Sequence, residues 1–462
     1  MGAKQILIVL AATLITAPWP RAANAAAEPT TSGRPALPAP PDLDGWERTL
    51  EGLPPPPRQP GAVAIRPVQE EPALRASFLH AARVMSDWPG AALVVERGVQ
   101  TLEEVASVAR RPDLLLCRAG GCELRSPLLV NAGAGLVIAG TRANPLQIRL
   151  HQEAGAFVVN AGVLHVEGAS ILGWSSSDQA PAETDGERFR PFIAAFGASE
   201  TVILRSELHY LGFQSAKAYG FTLSSHPRLF PAAQPSGRIF ASLFNQLYYG
   251  FYTYEARSIV LMGSVFSDSH RYGIDPHDAS SELLIARNEI HGTQGHGVVL
   301  SQSVHDSWIV ENISRNNAKS GLLVDAGSWQ NKVVGNRLID NSRDGIAILE
   351  SHHNVIASNQ IERNGGVGIR VRAGAANVVA NNTIGGSGEY GLKAYDWPDA
   401  TQPLPIRKQQ HQKPVTLTLF GNRFADNVKG ACQFKTVHEV IAYADAAGEL
   451  RPCGERAPAT AR

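Results

Sequence analysis

The chain has 462 residues, and its 42 basic side chains balance 42 acidic ones to a formal net charge of zero. Such a balance creates no global field toward nucleic acid or an anionic membrane, so neither is expected as a partner and a polyanion must be held by local clusters. The length allows one large domain or two ordinary ones.

Lys4, an apolar run from Ile6 to about Ala17, and the small-x-small site Ala23-Asn24-Ala25 follow in the order of a secretory signal. Cleavage near Ala25 is expected, making 1–25 a signal peptide. The run is too short for a stable bilayer anchor, and no later stretch is long and apolar enough to insert in a membrane. Four cysteines suit an oxidising compartment. Cys117 and Cys122 are near neighbours, as are Cys432 and Cys453, and local pairing of each couple is the expectation among three connectivities. Neither couple has a second one at ligand spacing, so zinc is not expected.

Pro-rich sequence over 26–62 reads as an extended linker without a core. Residues 63–113 are mixed, with helices expected around 73–85 and 102–108, and form an N-terminal cap region. From Leu114 short β-rich runs take over, among them Leu128-Leu129-Val130, Leu136-Val137-Ile138 and Phe157-Val158-Val159. The polar stretch from Ser175 to Arg190 reads as a loop.

A period dominates the rest. A glycine precedes a short strand at Gly250, Gly273, Gly297, Gly321, Gly345, Gly368 and Gly391, with spacings of 23, 24, 24, 24, 23 and 23 residues. An asparagine column runs in step at Asn288, Asn312, Asn336, Asn359 and Asn382. Such a period marks units that bury their faces only by stacking. The leucine framework of leucine-rich repeats is missing, so the pattern predicts an all-β fold, a right-handed parallel β-helix over 114–435, followed by a tail over 436–462.

Strand alternation then sorts the side chains. The first and third residues after each glycine are apolar except Thr253, and fill the interior. The second and fourth point outward: Tyr252 and Tyr254, Asp275 and His277, Arg370 and Arg372, Lys393 and Tyr395 among them. One coil therefore carries the run Tyr272-Gly273-Ile274-Asp275-Pro276-His277-Asp278, with two carboxylates and an imidazole in four positions. Asp275 and His277 should lie about 7 Å apart on one face, and an imidazole flanked by carboxylates can be held in one tautomer as a base. Tyr252 and Tyr254 could stack on sugar rings, and Arg370, Arg372 and Lys393 could hold carboxylates of a long polymer. Each also has a plainer reading, as ordinary strand residues or a solvated face. His291, His296 and His305 fall at turns or flanks and are taken as structural. Gly365-Gly366-Val367-Gly368-Ile369-Arg370 is similar to a calcium-binding nonapeptide, but Arg370 occupies its aspartate position, so calcium is not expected there.

Three stretches carry a family resemblance: Gly250-Phe-Tyr-Thr-Tyr-Glu-Ala256, the run from Tyr272 to Asp278, and Gly292-Thr-Gln-Gly-His-Gly297. They resemble the periplasmic mannuronan (alginate) C5-epimerases, with likeness from about Trp88 to the last coil. The resemblance implies conversion of β-D-mannuronate to α-L-guluronate within a finished polymer, without calcium or an organic cofactor. It also implies a place in an alginate polymerisation and secretion complex. By the resemblance His277 is the base, Asp275 and Asp278 orient it or bind sugar, Lys217 contacts the polymer, and the returning proton comes from water. One position departs from the family: its carboxylate-neutralising arginine is Gln302 here, allowing for a turn one residue shorter. Glutamine brings no charge, so Arg271, Arg257 or Lys217 stands in, or activity is weak or directed at another polymer. A uronate lyase and a non-catalytic polymer scaffold are the competing readings.

Overall fold

The computed structural model describes residues 35–78, 90–141, 143–215, 217–396 and 410–443. The expected signal peptide lies outside them, as does Cys453 of the second expected cysteine couple. Cys117 and Cys122 form a disulfide across a tight hairpin.

Each full coil contributes three short strands, and each strand pairs in parallel with its counterpart in the next coil. Thus Ile274–His277, Ser281–Ala286 and Glu289–His291 stack under Val298–Ser301, Trp308–Val310 and Ile313–Arg315. Repetition of these pairings builds three parallel sheets, and the glycine-led strands form the first. One continuous apolar core fills the coil interior, including Ile274, Val298, Leu300, Ile346 and Val371, all at most 1% exposed. Stacked phenylalanines thicken it: Phe221, Phe244 and Phe266 lie 5.7 and 4.6 Å apart in succession. Burying each such ring contributes about 1.5–3 kcal/mol.

The corners explain the asparagines. Arg287, Glu311, Ser358 and Asn381 have φ between 52° and 56°, a left-handed conformation that costs a non-glycine residue roughly 1–2 kcal/mol. The following residue in each case is a ladder asparagine that recovers this cost. Asn312 Nδ2 donates to Asn336 Oδ1 at 2.9 Å and to Ile285 O at 2.8 Å, so buried polar groups at the bend are paired. Two further ladders, Asn317-Asn341-Asn364 and Asn331-Asn354-Asn377, do the same at other corners. Only one ladder was read from the sequence, although all three follow the same period.

The ends differ from the expected boundaries. Strand Ala91–Thr101 already pairs with Leu128–Val130 and Ala134–Ala139, so the β-helix begins at Ala91 rather than 114. Helix Leu102–Ala109 follows with a capping box between Thr101 and Glu104 and buries Leu102 and Val105. At the other end Glu439–Ala442 pairs with Thr416–Phe420, extending the β-helix beyond 435 into the expected tail. The other expected helix spans Pro72–Phe78, the remainder of 73–85 lying outside the described residues.

The linker expectation for 26–62 is also corrected. Within it Leu43–Glu51 is a helix, capped by the Asp42 side chain, which accepts from Gly45 N at 2.9 Å. Leu43, Trp46 and Leu50, at i, i+3 and i+7, face one way and pack on the outer side of the second sheet against Val260, Met262 and Trp308. Arg287 ties the helix down through Asp44 and Glu47. The surrounding prolines set only the ends of this segment. Among the described residues no helix is long and apolar enough to cross a membrane.

Candidate active site

The first sheet presents its outer face as a wall in strict register. Tyr254 lies beside His277, His277 beside Ser301, Ser301 beside Asp325, and that row continues through Leu349 and Arg372 to Tyr395. Tyr252 lies beside Asp275 in the parallel row. Pro276 has no N–H to donate, and pairing to the next coil is made at Ile274 and His277 on either side of it. A groove of about 650 Å³ continues along this wall, lined by Tyr272, His296, Arg343, Asp344, Arg370 and Tyr395 among others.

The surroundings of His277 are set by two turns. Immediately after His277 the chain enters the left-handed region at Asp278 and Ala279 (φ 44° and 55°), which swings the Asp278 carboxylate back onto His277 Nδ1. Gln302 occupies the equivalent turn one coil on (φ 59°), its carbonyl accepting from Ala279 N at 2.8 Å. Its side-chain Nε2 lies 3.0 Å from His277 Nε2. With Nδ1–H donated to Asp278, Nε2 holds the lone pair, and the Gln302 amide donates to it. Asp278, rather than Asp275, is thus the carboxylate that holds the imidazole.

Asp275 has a different environment. It is 2% exposed, and its Oδ1 has no hydrogen-bond partner. Burial pushes its carboxyl up to about 7; the neighbouring His277 opposes the rise and Asp278 adds to it. Tyrosines crowd around it: Tyr219, Tyr249 and Tyr252 lie 4.7–5.7 Å apart, and Tyr272 packs 5.5 Å from Tyr249. Burial first, and the Asp275 charge second, raise the titration of all four phenols, so they remain proton donors. Tyr252, expected as an open sugar platform, is instead buried, with Tyr219, Tyr249 and His277 (5.8 Å) around its ring. Tyr219 and Tyr249 were not singled out from the sequence. Tyr249 could have been, because it stands directly before a column glycine, as Tyr272 does.

The cations divide into two kinds. Lys217 Nζ lies 4.3 Å from the Tyr254 ring centroid and donates to Ser225 O at 2.8 Å. Burial lowers its pKa, while the facing Glu255 and Asp278 oppose that shift. Of the other stand-ins for the family arginine, Arg257 is ion-paired with Glu282, and Arg271 donates to the Tyr248 hydroxyl at 3.0 Å. Farther along, Arg370 makes a two-pronged pair with Asp344 at 2.7 and 2.8 Å, and Arg372 one with fully buried Glu350 at 2.6 and 3.1 Å. Lys393 lies 3.9 Å from Glu389. The expected row of open cations is therefore balanced from within the fold. His305 stacks 4.7 Å from Trp329 at a turn, and His296 reaches the groove rather than serving only a turn.

Comparison with known proteins agrees with the architecture. Residues 241–402 match the family described as the right-handed β-helix region. The mannuronan C5-epimerase of Pseudomonas putida is 33% identical over 345 residues, covering 72% of this chain and 65% of that protein. The mannuronan C5-epimerase AlgG of Azotobacter vinelandii is 35% identical over 271 residues, covering 57% and 51%. The match thus spans about two thirds or less of these relatives' own length. The crystal structure of the periplasmic alginate epimerase AlgG superposes with a TM-score of 0.81 at 28% identity, over 88% of this chain and 98% of that one.

A right-handed parallel β-helix with an imidazole on its outer wall, braced by a carboxylate, and a groove farther along the same wall defines the class of protein. Within that class the chain belongs to the mannuronan C5-epimerase family.

Proposed function

We propose that this protein epimerises β-D-mannuronate to α-L-guluronate residues within alginate, in the periplasm. The observation that carries the reading is the His277 imidazole, with Asp278 on one nitrogen and a lone pair on the other, on a wall that continues into a groove. The two relatives named mannuronan C5-epimerase and the periplasmic structure support the substrate and the compartment. A place in an alginate polymerisation and secretion complex belongs to the same proposal and rests on the family resemblance.

The C5 proton is α to the C6 carboxylate, and its removal builds charge on that carboxylate. A base must meet one face of the ring while cations or donors meet the carboxylate. His277 Nε2 takes the proton, and Asp278 stabilises the imidazolium that forms. Gln302 must leave Nε2 for this to occur, and its freed amide can then donate to the substrate carboxylate. The missing arginine charge is supplied by Lys217, whose ammonium lies over the Tyr254 ring and close enough to Asp278 to feel its charge, whereas Arg257 is already paired with Glu282. Arg271, bonded to the neutral Tyr248 hydroxyl, is the reserve cation. A proton from water returns to the opposite face of C5. No electrons are exchanged, so the chemistry requires no redox cofactor.

Proton NMR of polymannuronate incubated with the protein in the presence of a chelator tests this reading. Guluronate signals are expected. Unsaturated ends instead would mean that the C5 carbanion expels O4, as in a lyase, and an unchanged polymer would contradict the assigned activity.

A further inference from the structure

The wall arginines are neutralised internally, so the charge of an acidic polymer must be met elsewhere in the groove. The rim formed by the turns before the first-sheet strands supplies it. Lys319 N donates to Gly295 O at 2.9 Å, Arg343 N to Lys319 O at 3.2 Å, and Gly366 N to Arg343 O at 2.8 Å. Lys319 and Arg343 therefore occupy adjacent coils, about 4.8 Å apart, with glycines above and below them. Neither is ion-paired among the described residues. Lys319 Nζ lies 5.9 Å from the Tyr272 ring centroid, and Arg343 lines the groove.

His296 sits inside this rim, 5.5 Å from Tyr272. Its Nδ1 accepts the Ser320 N–H at 3.2 Å, which places its proton on Nε2. Burial, with Lys319 and Arg343 adding to it and Asp344 opposing it, pushes the imidazole down to about 4. It is therefore a fixed neutral donor next to two unpaired cations.

We infer that Lys319, Arg343 and the Nε2–H of His296 form a carboxylate-binding subsite for the polymer, in the first to third coils beyond that of His277. A 1,4-linked uronan advances by roughly one coil rise per sugar, so successive carboxylates can meet successive rim positions. The sequence placed the polymer's counter-charges on the strands; the structure assigns them to the turns. This inference rests on the reading of the groove as the path of a uronan.

Calorimetric titration of the full chain with polymannuronate, and with mannuronate oligomers too short to pass from His277 to the third coil, tests it. The Lys319→Ala/Arg343→Ala variant should lose about tenfold in affinity for the polymer, with a weaker salt dependence and with the loss confined to long chains. Equal affinity of wild type and variant for polymannuronate would overturn the subsite, whatever the activity. A variant that binds less well, from a wild type that makes no guluronate, would keep the subsite and remove the epimerase reading.

Discussion

Lys217→Met removes the charge proposed to replace the family arginine while keeping an apolar stem against Tyr254. Unit charges about 4 Å apart in a partly buried setting, with an effective dielectric near 20, interact by about 4 kcal/mol. Lys217 is half-buried and also committed to Ser225 O, so about half of that, about 2 kcal/mol, should act on the developing carboxylate charge. The expected loss is about thirtyfold in kcat/KM. Lys217→Arg should restore most of it. Because burial lowers the Lys217 pKa, the wild type loses this charge at a lower alkaline pH than an ordinary lysine would, and the arginine variant should extend activity to higher pH. The assay is initial-rate guluronate formation across pH. A loss below about threefold, or an alkaline limb unmoved by arginine, would refute the assignment and return the role to Gln302 or Arg271.

Three further outcomes follow from the burial pattern. Asp275 is raised from 3.8 to about 7, so between those values the folded chain holds a proton that the unfolded chain has released. Wild-type stability should fall as pH rises through that window, on the order of 1.4 kcal/mol per unit; Asp275→Asn should flatten this slope in denaturant melts, and parallel curves would remove the buried acid. Arg372→Ala strands the fully buried Glu350 charge and should cost about 3–5 kcal/mol of stability, seen as a lowered denaturation midpoint; a change in polymer affinity alone would show that Arg372 is a free binding group. Asn336→Ala leaves Ile309 O and Asn312 N unpaired and should cost about 3 kcal/mol, whereas a cost below about 1 kcal/mol would mean that water replaces the ladder.

The period and the alternation were legible because each coil repeats the same interior demand. Glycine columns located the first-sheet strands, and counting from them put Asp275, His277, Arg370 and Arg372 on one wall, as the registers show. Side-chain partners from the turns were harder to read. Asp344 and Glu350 neutralise the wall arginines from turn positions 26 and 22 residues earlier in the chain, and such offsets depend on turn shape rather than on strand period. Tyr219 reaches the site from the bend just before strand Gly220–Ser224, whose coil precedes the regular glycine column. The helix at Leu43–Glu51 carried a cap and an apolar stripe, but the flanking prolines dominated the reading of that segment. The hydrogen bond between Asp278 and His277 required the left-handed turn after the strand, a conformation that aspartate tolerates but that its presence alone does not fix.

His277 is the group proposed to remove the C5 proton. Incubation of polymannuronate in deuterated water, with chelator, should place deuterium at C5 of the guluronate formed by wild type. His277→Gln should bind the polymer as wild type does and incorporate none. Deuterium incorporation by that variant at the wild-type rate would contradict the account.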